Sequence, residues 1–311
     1  MSFDPDRLGE WSDPARFDVR PAQVTAYAAA TNEPPGQYPE GAAATNEPAG
    51  QYPEGTGQEL GQVQAQLDVA APPVFALLPA IDVYPQQIER LFGRTLASLG
   101  SVHGEHDLLI DQPIRVGTAV TARAAVTGVH VKASGTAVVV QIESRGEDGV
   151  LLNTQYAVQF LRGFDAGASA GAVPPAWLAR NATRGERPLA SVTLKVDPDQ
   201  ARRYAEASGD FGDYTLDDDA ARRAGFPRPI LHGACTMALA GRAVTMACGA
   251  ADPAGLRRLA VRFSAPCFPG DQLTTTVWEL RDAVPRASVV FEVTDQEGRK
   301  VITNGIAEVS A

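Results

Sequence analysis

The sequence predicts an α+β chain in which two antiparallel sheets each wrap a central helix. Three observations carry that prediction. Two long segments repeat one order of strands and turns, a proline-led apolar helix precedes each repeat, and the stretch between them is rich in Gly, Ala and Pro.

The first elements are a matched pair of Tyr-Ala-x-Ala runs at 27–30 and 204–207. After each, a proline leads into an apolar helix: APPVFALLPAI from Ala71 and RPILHGACTMALAGRAV from Arg228. In the second helix Gly233, Ala234, Ala238, Ala240 and Gly241 are small enough to let it approach a sheet closely. Next come HDLLIDQPIRVGTAVTARAAVTGV from His106 and LAVRFSAPCFPGDQLTTTVWEL from Leu259. Each runs an alternating strand into a proline, then a glycine (Pro113 and Gly117; Pro266 and Gly270), then a further alternating strand. Branched third strands follow at 136–142 and 287–293, then turns at Gly149 and Gly298, then final strands at 150–161 and 300–309. Short turns between successive strands make each sheet antiparallel. A long helix wrapped by a curled antiparallel sheet is the hot-dog arrangement, so the chain reads as a double hot-dog. The N-terminal hot-dog spans 1–163, a surface linker 164–190 and the C-terminal hot-dog 191–311.

Composition removes several function classes. A formal net charge of −10 argues against a nucleic-acid partner, which needs clustered Lys and Arg. The start, MSFDPDRLGEW, lacks a basic region followed by an apolar one, and no apolar run approaches membrane-spanning length, so a cytoplasmic protein without a membrane span is expected. Cys235, Cys248 and Cys267 are odd in number and show no metal-ligand spacing, and they read as buried, inert thiols. The segment 28–41 is copied almost exactly at 42–55. It reads as a duplication carried in a loop, where added length costs little free energy. The alternative is a lid over a substrate tunnel between the halves.

The stretch 204–233 holds the chemistry. A Ser208-Gly209-Asp210 turn follows a short helical run, and Arg-Pro-Ile-Leu-His-Gly (Arg228 through His232 and Gly233) opens an apolar helix. As residue types, Ser-Gly-Asp is equally an ordinary turn or helix cap, and His232 suits a hydrogen-bonded role that fixes a turn. The exposed run Asp217, Asp218, Asp219 reads as a solvated helix start.

This layout resembles the MaoC-like dehydratases, the (R)-specific enoyl-CoA hydratase family, which write the turn as Ser-Gly-Asp-x-Asn-Pro-(Leu/Ile)-His. The resemblance makes Asp210 the catalytic carboxylate and the Gly233 N–H an oxyanion-hole donor. It places Thr215 where the family has its catalytic histidine, with Gly212, Asp213 and Tyr214 in the preceding positions. A hydroxyl that does not titrate near neutrality cannot replace an imidazole as general acid. Asp213 and Tyr214, in the same loop, are therefore candidates for the missing group, His232 is a further candidate for proton transfer, and Ser208, Gly209, Asp213 and Phe75 are candidate substrate-binding residues. In the first half Glu33 falls at the aspartate position, Tyr38 at the histidine position and Phe75-Ala76 at the His-Gly step, which fits a half that shapes an acyl tunnel. Arg262 and Phe263 fall on a motif strand, where architectural roles are expected.

The resemblance implies an acyl-thioester hydratase or dehydratase acting on a CoA or acyl-carrier-protein thioester, with no cofactor beyond the phosphopantetheine of the substrate. The absent histidine points to modified chemistry: a specialised elimination, conjugate addition or cyclisation in lipid or polyketide metabolism. The alternative is a non-catalytic acyl-binding or scaffold subunit that pairs with an active hot-dog partner. Thioester hydrolysis ranks below both. A homodimer or hot-dog heteromer is the expected assembly.

Overall fold

Each half builds the expected run of strands, and a shared edge fuses them. The computed structural model describes residues 2–34, 37–38, 69–176, 183–250, 253–281 and 288–310. The second copy of the duplication and the lid reading attached to it lie outside these residues.

The described strands are β1 (Ala15–Asp18), β2 (Ser101–Ile110), β3 (Ala119–Lys132), β4 (Gly135–Gly146), β5 (Leu151–Arg162), β6 (Ala170–Gly171), β7 (Ala190–Lys195), β8 (Leu256–Phe263), β9 (Gln272–Glu279), β10 (Ser288–Thr294) and β11 (Lys300–Val309). They form one antiparallel sheet in the order β1-β3-β4-β5-β2-β8-β11-β10-β9-β7, with β6 on β3. The two sheets of the double hot-dog therefore meet edge to edge. β2 pairs with β8 from Glu105↔Arg262 to Leu109↔Arg258. Joining the edges satisfies backbone groups that would otherwise be left open on both strands. At this seam Arg258 holds Asp107 with two bonds, Nε to Oδ1 at 2.9 Å and Nη2 to Oδ2 at 2.7 Å.

The helices are α1 (Pro21–Ala30), α2 (Val83–Phe92), α3 (Gln200–Ser208), α4 (Asp213–Leu216), α5 (Asp218–Arg223) and α6 (Gly233–Ala247). α6 is the central helix of the second half and buries Cys235, Met237, Leu239 and Val244. Close approach to the sheet requires glycine at one point: a Cβ on Gly241 would lie 2.9 Å from Leu259 Cδ2. The first half differs from the long helix expected there. APPVFALLPAI folds as a 3-10 helix, Pro73–Ala80, with Pro79 inside it, and α2 follows after a turn. Its prolines lack the N–H donors that a continuous α-helix needs. The Tyr-Ala-x-Ala runs end α1 and nearly end α3, and they bring Tyr27 and Tyr204 ring to ring at 5.7 Å.

Within the segment 164–190, Ala170–Gly171 pairs with Val129 and Gly128 on β3. One smaller expectation is corrected. Cys235 and Cys267 are buried, but Cys248, just past the end of α6, is exposed. No helix among the described residues is long and apolar enough to cross a membrane.

Candidate functional site

α3 ends at Ser208, and Gly209 takes the left-handed conformation (φ +84°) that stops the helix and throws the chain into the Asp210 turn. Ser208 Oγ donates to Tyr204 O at 2.7 Å and accepts from Asp210 N at 3.1 Å. Asp210 Oδ1 in turn accepts from Gly212 N at 3.2 Å. Asp217 caps α5 by accepting from Ala220 N at 2.7 Å.

A second layer of bonds fixes the turn from below. Thr215 Oγ1 donates to Gly212 O at 2.6 Å, so it must accept in its 3.0 Å contact with His232 Nε2. His232 therefore carries its proton on Nε2, which also donates to Asp210 O at 2.9 Å. Thr215 and His232 are buried and hold the Asp210 loop against the start of α6. His232 caps α6 without a side-chain hydrogen bond, leaving the first-turn N–H groups, Gly233 among them, as donors at a helix N-terminus.

Asp210, Asp213, Tyr214, Thr215, His232 and Gly233 line one cavity of about 850 Å³ between the halves. The first half supplies its apolar wall, including Leu77, Leu78, Ile81 and Ile142. Three candidate substrate-binding residues do not line it. Phe75 is fully buried against Tyr27 and Phe17 in the core, and Ser208 and Gly209 shape the turn from behind. Phe263, expected to be architectural, does line the cavity. Glu33, the first-half counterpart of Asp210, faces a separate small crevice within 4.0 Å of Arg242. Burial pushes its carboxyl up to about 7, with Arg242 acting the other way.

The residues missed from sequence come from β2, β5 and α2. His103, His106, Gln155, Gln159 and Tyr84 all line the cavity, so three of the chain's four histidines converge there. A register shift between His103 and Glu105 breaks the regular alternation of β2 and lets His103 Nε2 reach His106 Nδ1 at 3.1 Å. Among the described residues no group of three or more His, Cys, Asp or Glu is placed to hold a metal ion.

Burial pushes the imidazole of His103 down to about 4 and that of His106 well below its ordinary value. Burial also lowers His232, opposed by the Asp210 charge and backbone. All three are neutral in the folded protein near pH 7, whereas the unfolded chain titrates near 6.5. Between 6.5 and about 4 the unfolded state binds more protons, so stability falls as pH falls. The expected slope approaches about 1.4 kcal/mol per pH unit for each histidine kept neutral. Urea midpoints taken across this range should drop with pH, and less steeply for His106→Gln. A profile unchanged by His106→Gln would contradict a buried neutral imidazole.

Residues 180–301 match the MaoC-like domain model, and residues 62–163 match that of the MFE-2 hydratase 2 N-terminal domain. The chain is 31% identical over 227 residues to 3-hydroxyacyl-thioester dehydratase Y of Mycobacterium tuberculosis, covering 68% of this chain and 73% of that protein. It is 30% identical over 251 residues to the peroxisomal multifunctional enzyme type 2 of Drosophila melanogaster, covering 78% of this chain but only 41% of that longer enzyme. Among solved structures, a MaoC-like dehydratase from Phytophthora capsici superposes with a TM-score of 0.75 at 23% identity, covering 98% of this chain and 97% of that one.

Proposed function

The chain belongs to the MaoC-like dehydratase family, and from that premise we propose that it hydrates 2-enoyl thioesters, or dehydrates 3-hydroxyacyl thioesters, in the cavity between its halves. The observation that carries this reading is the convergence of Asp210 and the Gly233 helix start on one cavity with an apolar wall. A thioester carbonyl at the start of α6 meets backbone N–H donors and the positive end of the helix dipole, which stabilise the charge that builds on oxygen as the enolate forms. The Asp210 carboxylate exchanges a proton with water or with the β-hydroxyl. Leu77, Leu78 and Ile81 offer the acyl chain an apolar surface. CoA and an acyl carrier protein present the same phosphopantetheine thioester, and both fit this reading.

Modified chemistry was expected because Thr215 stands at the histidine position. Other imidazoles face the same cavity and support a proton-transfer step without it. Thr215 still favours the alternative of an acyl-binding subunit without chemistry.

Enoyl absorbance during incubation with short- and medium-chain 2-enoyl-CoA separates the two. Steady loss of the signal supports the lyase. Binding of butyryl-CoA with no turnover of any enoyl thioester supports the binding subunit.

A further inference from the structure

We propose that His103, contributed by the first half, is the proton-transfer residue that works opposite Asp210. This inference rests on the hydratase reading above and names the group that the Thr215 position does not provide.

The place of the ring is the first argument. His103 packs over the start of α6, so that a Cβ on Gly233 would lie 3.2 Å from His103 Nδ1 and 3.3 Å from its Cβ. The Phe263 ring lies against it at 4.8 Å between centroids. A thioester whose carbonyl is held at the Gly233 N–H enters the cavity that this imidazole also lines.

The direction of its hydrogen bonds is the second. Ala76 O can only accept, so the atom of Gln155 that meets it at 2.7 Å must be the amide nitrogen, which also donates to Asn153 Oδ1 at 2.8 Å. Gln155 Oε1 then faces His106 Nε2 at 3.1 Å and requires a proton there. That leaves His106 Nδ1 as an acceptor for His103 Nε2–H at 3.1 Å. With its proton on Nε2, neutral His103 has its lone pair on Nδ1, the nitrogen over Gly233, and the Glu105 backbone is a further hydrogen-bond partner of the ring. A chain of buried polar groups running from the core to one lone pair is costly unless fully satisfied, and it fixes one tautomer at its end.

The rival imidazole is committed elsewhere. His232 spends its Nε2 proton on Asp210 O and Thr215 Oγ1, and its Nδ1 is buried from solvent without a hydrogen-bond partner.

In dehydration the His103 Nδ1 lone pair takes the α proton, and the C–H electron pair forms the Cα=Cβ bond by way of an enolate whose oxygen faces Gly233. The Cβ–O bond breaks, and its pair leaves with the hydroxyl. The proton taken by His103 is relayed to that hydroxyl through the Asp210 carboxylate, so water departs and both groups return to their starting forms. Hydration is the same path reversed.

The test uses the full-length protein with 2-enoyl-CoA and compares the wild type with Asp210→Asn, His103→Gln and His103→Ala. Binding of butyryl-CoA, measured by calorimetry, checks that each variant keeps its site. His103→Gln should lose about 10²–10⁴-fold in kcat with KM within about threefold, and imidazole added to His103→Ala should restore part of the rate. Conversion by His103→Gln within about threefold of wild type, while Asp210→Asn is inactive, overturns the role of His103 and leaves the hydratase reading standing. Loss of butyryl-CoA binding in both His103 variants overturns it too, in favour of a structural imidazole. A wild type that binds butyryl-CoA but turns over no enoyl thioester overturns the hydratase reading and this inference with it.

Discussion

Asp210→Asn should lower kcat for 2-enoyl thioester hydration by about 10³-fold and leave KM within about threefold. The size of the effect follows from what the amide keeps and what it loses. Asn is nearly the same shape, and its carbonyl oxygen can still accept from Gly212 N, the contact Asp210 Oδ1 makes at 3.2 Å. The backbone bonds of the turn, Asp210 N to Ser208 Oγ and His232 Nε2 to Asp210 O, do not involve the exchanged group. The Gly233 donors and the apolar wall are untouched, so ground-state binding persists. What disappears is a group able to take and return a proton, and general acid–base transfer is worth a factor of this order. Steady-state kinetics alongside butyryl-CoA calorimetry reads both quantities. Turnover within tenfold of wild type would remove Asp210 from the chemistry. Ser208→Ala, which loses only the support behind the turn, should cost far less in kcat.

The contrast between what alternation reveals and what it hides explains the sequence reading. β2 to β5 and β8 to β11 were legible because period-two apolar patterns, interrupted by Pro113, Gly117, Pro266 and Gly270, respond directly to one buried and one open face. The seam between β2 and β8 was not legible, because pairing of two edges leaves no mark on either strand's own pattern. Residues three apart on a regular strand point to opposite faces, so His103 and His106 do not read as a pair. Only the irregularity at Gly104 brings them together. The Asp210 turn and the start of α6 were legible from motif spacing. Their partners lay in the other half, and comparing each half with its own repeat cannot show which residues meet across the cavity. Phe75 illustrates the converse error: an apolar residue at a motif position serves equally in a core or a cavity wall, and here it is core.

The seam also sets the largest expected stability effect. Arg258→Met should destabilise the fold by about 3–5 kcal/mol at neutral pH. Asp107 is 1% exposed, and its two oxygens are engaged by Arg258 Nε and Nη2. Met fills much of the space of the arginine stem, so lost packing is a small part of the change. The main cost is a carboxylate left in the interior between β2 and β8 without its counter-charge. Glu308, 3.5 Å from Arg258 Nη1 in the intact protein, cannot compensate, being another acid. The reverse single change, Asp107→Leu, should cost less because Arg258 is 19% exposed and keeps Glu308. Combining the two should recover much of the loss, since a buried ion pair replaced whole by apolar side chains is often close to neutral. Urea denaturation of the two single variants and the double variant closes the cycle. A small Arg258→Met loss would show that this ion pair does not hold the two halves together.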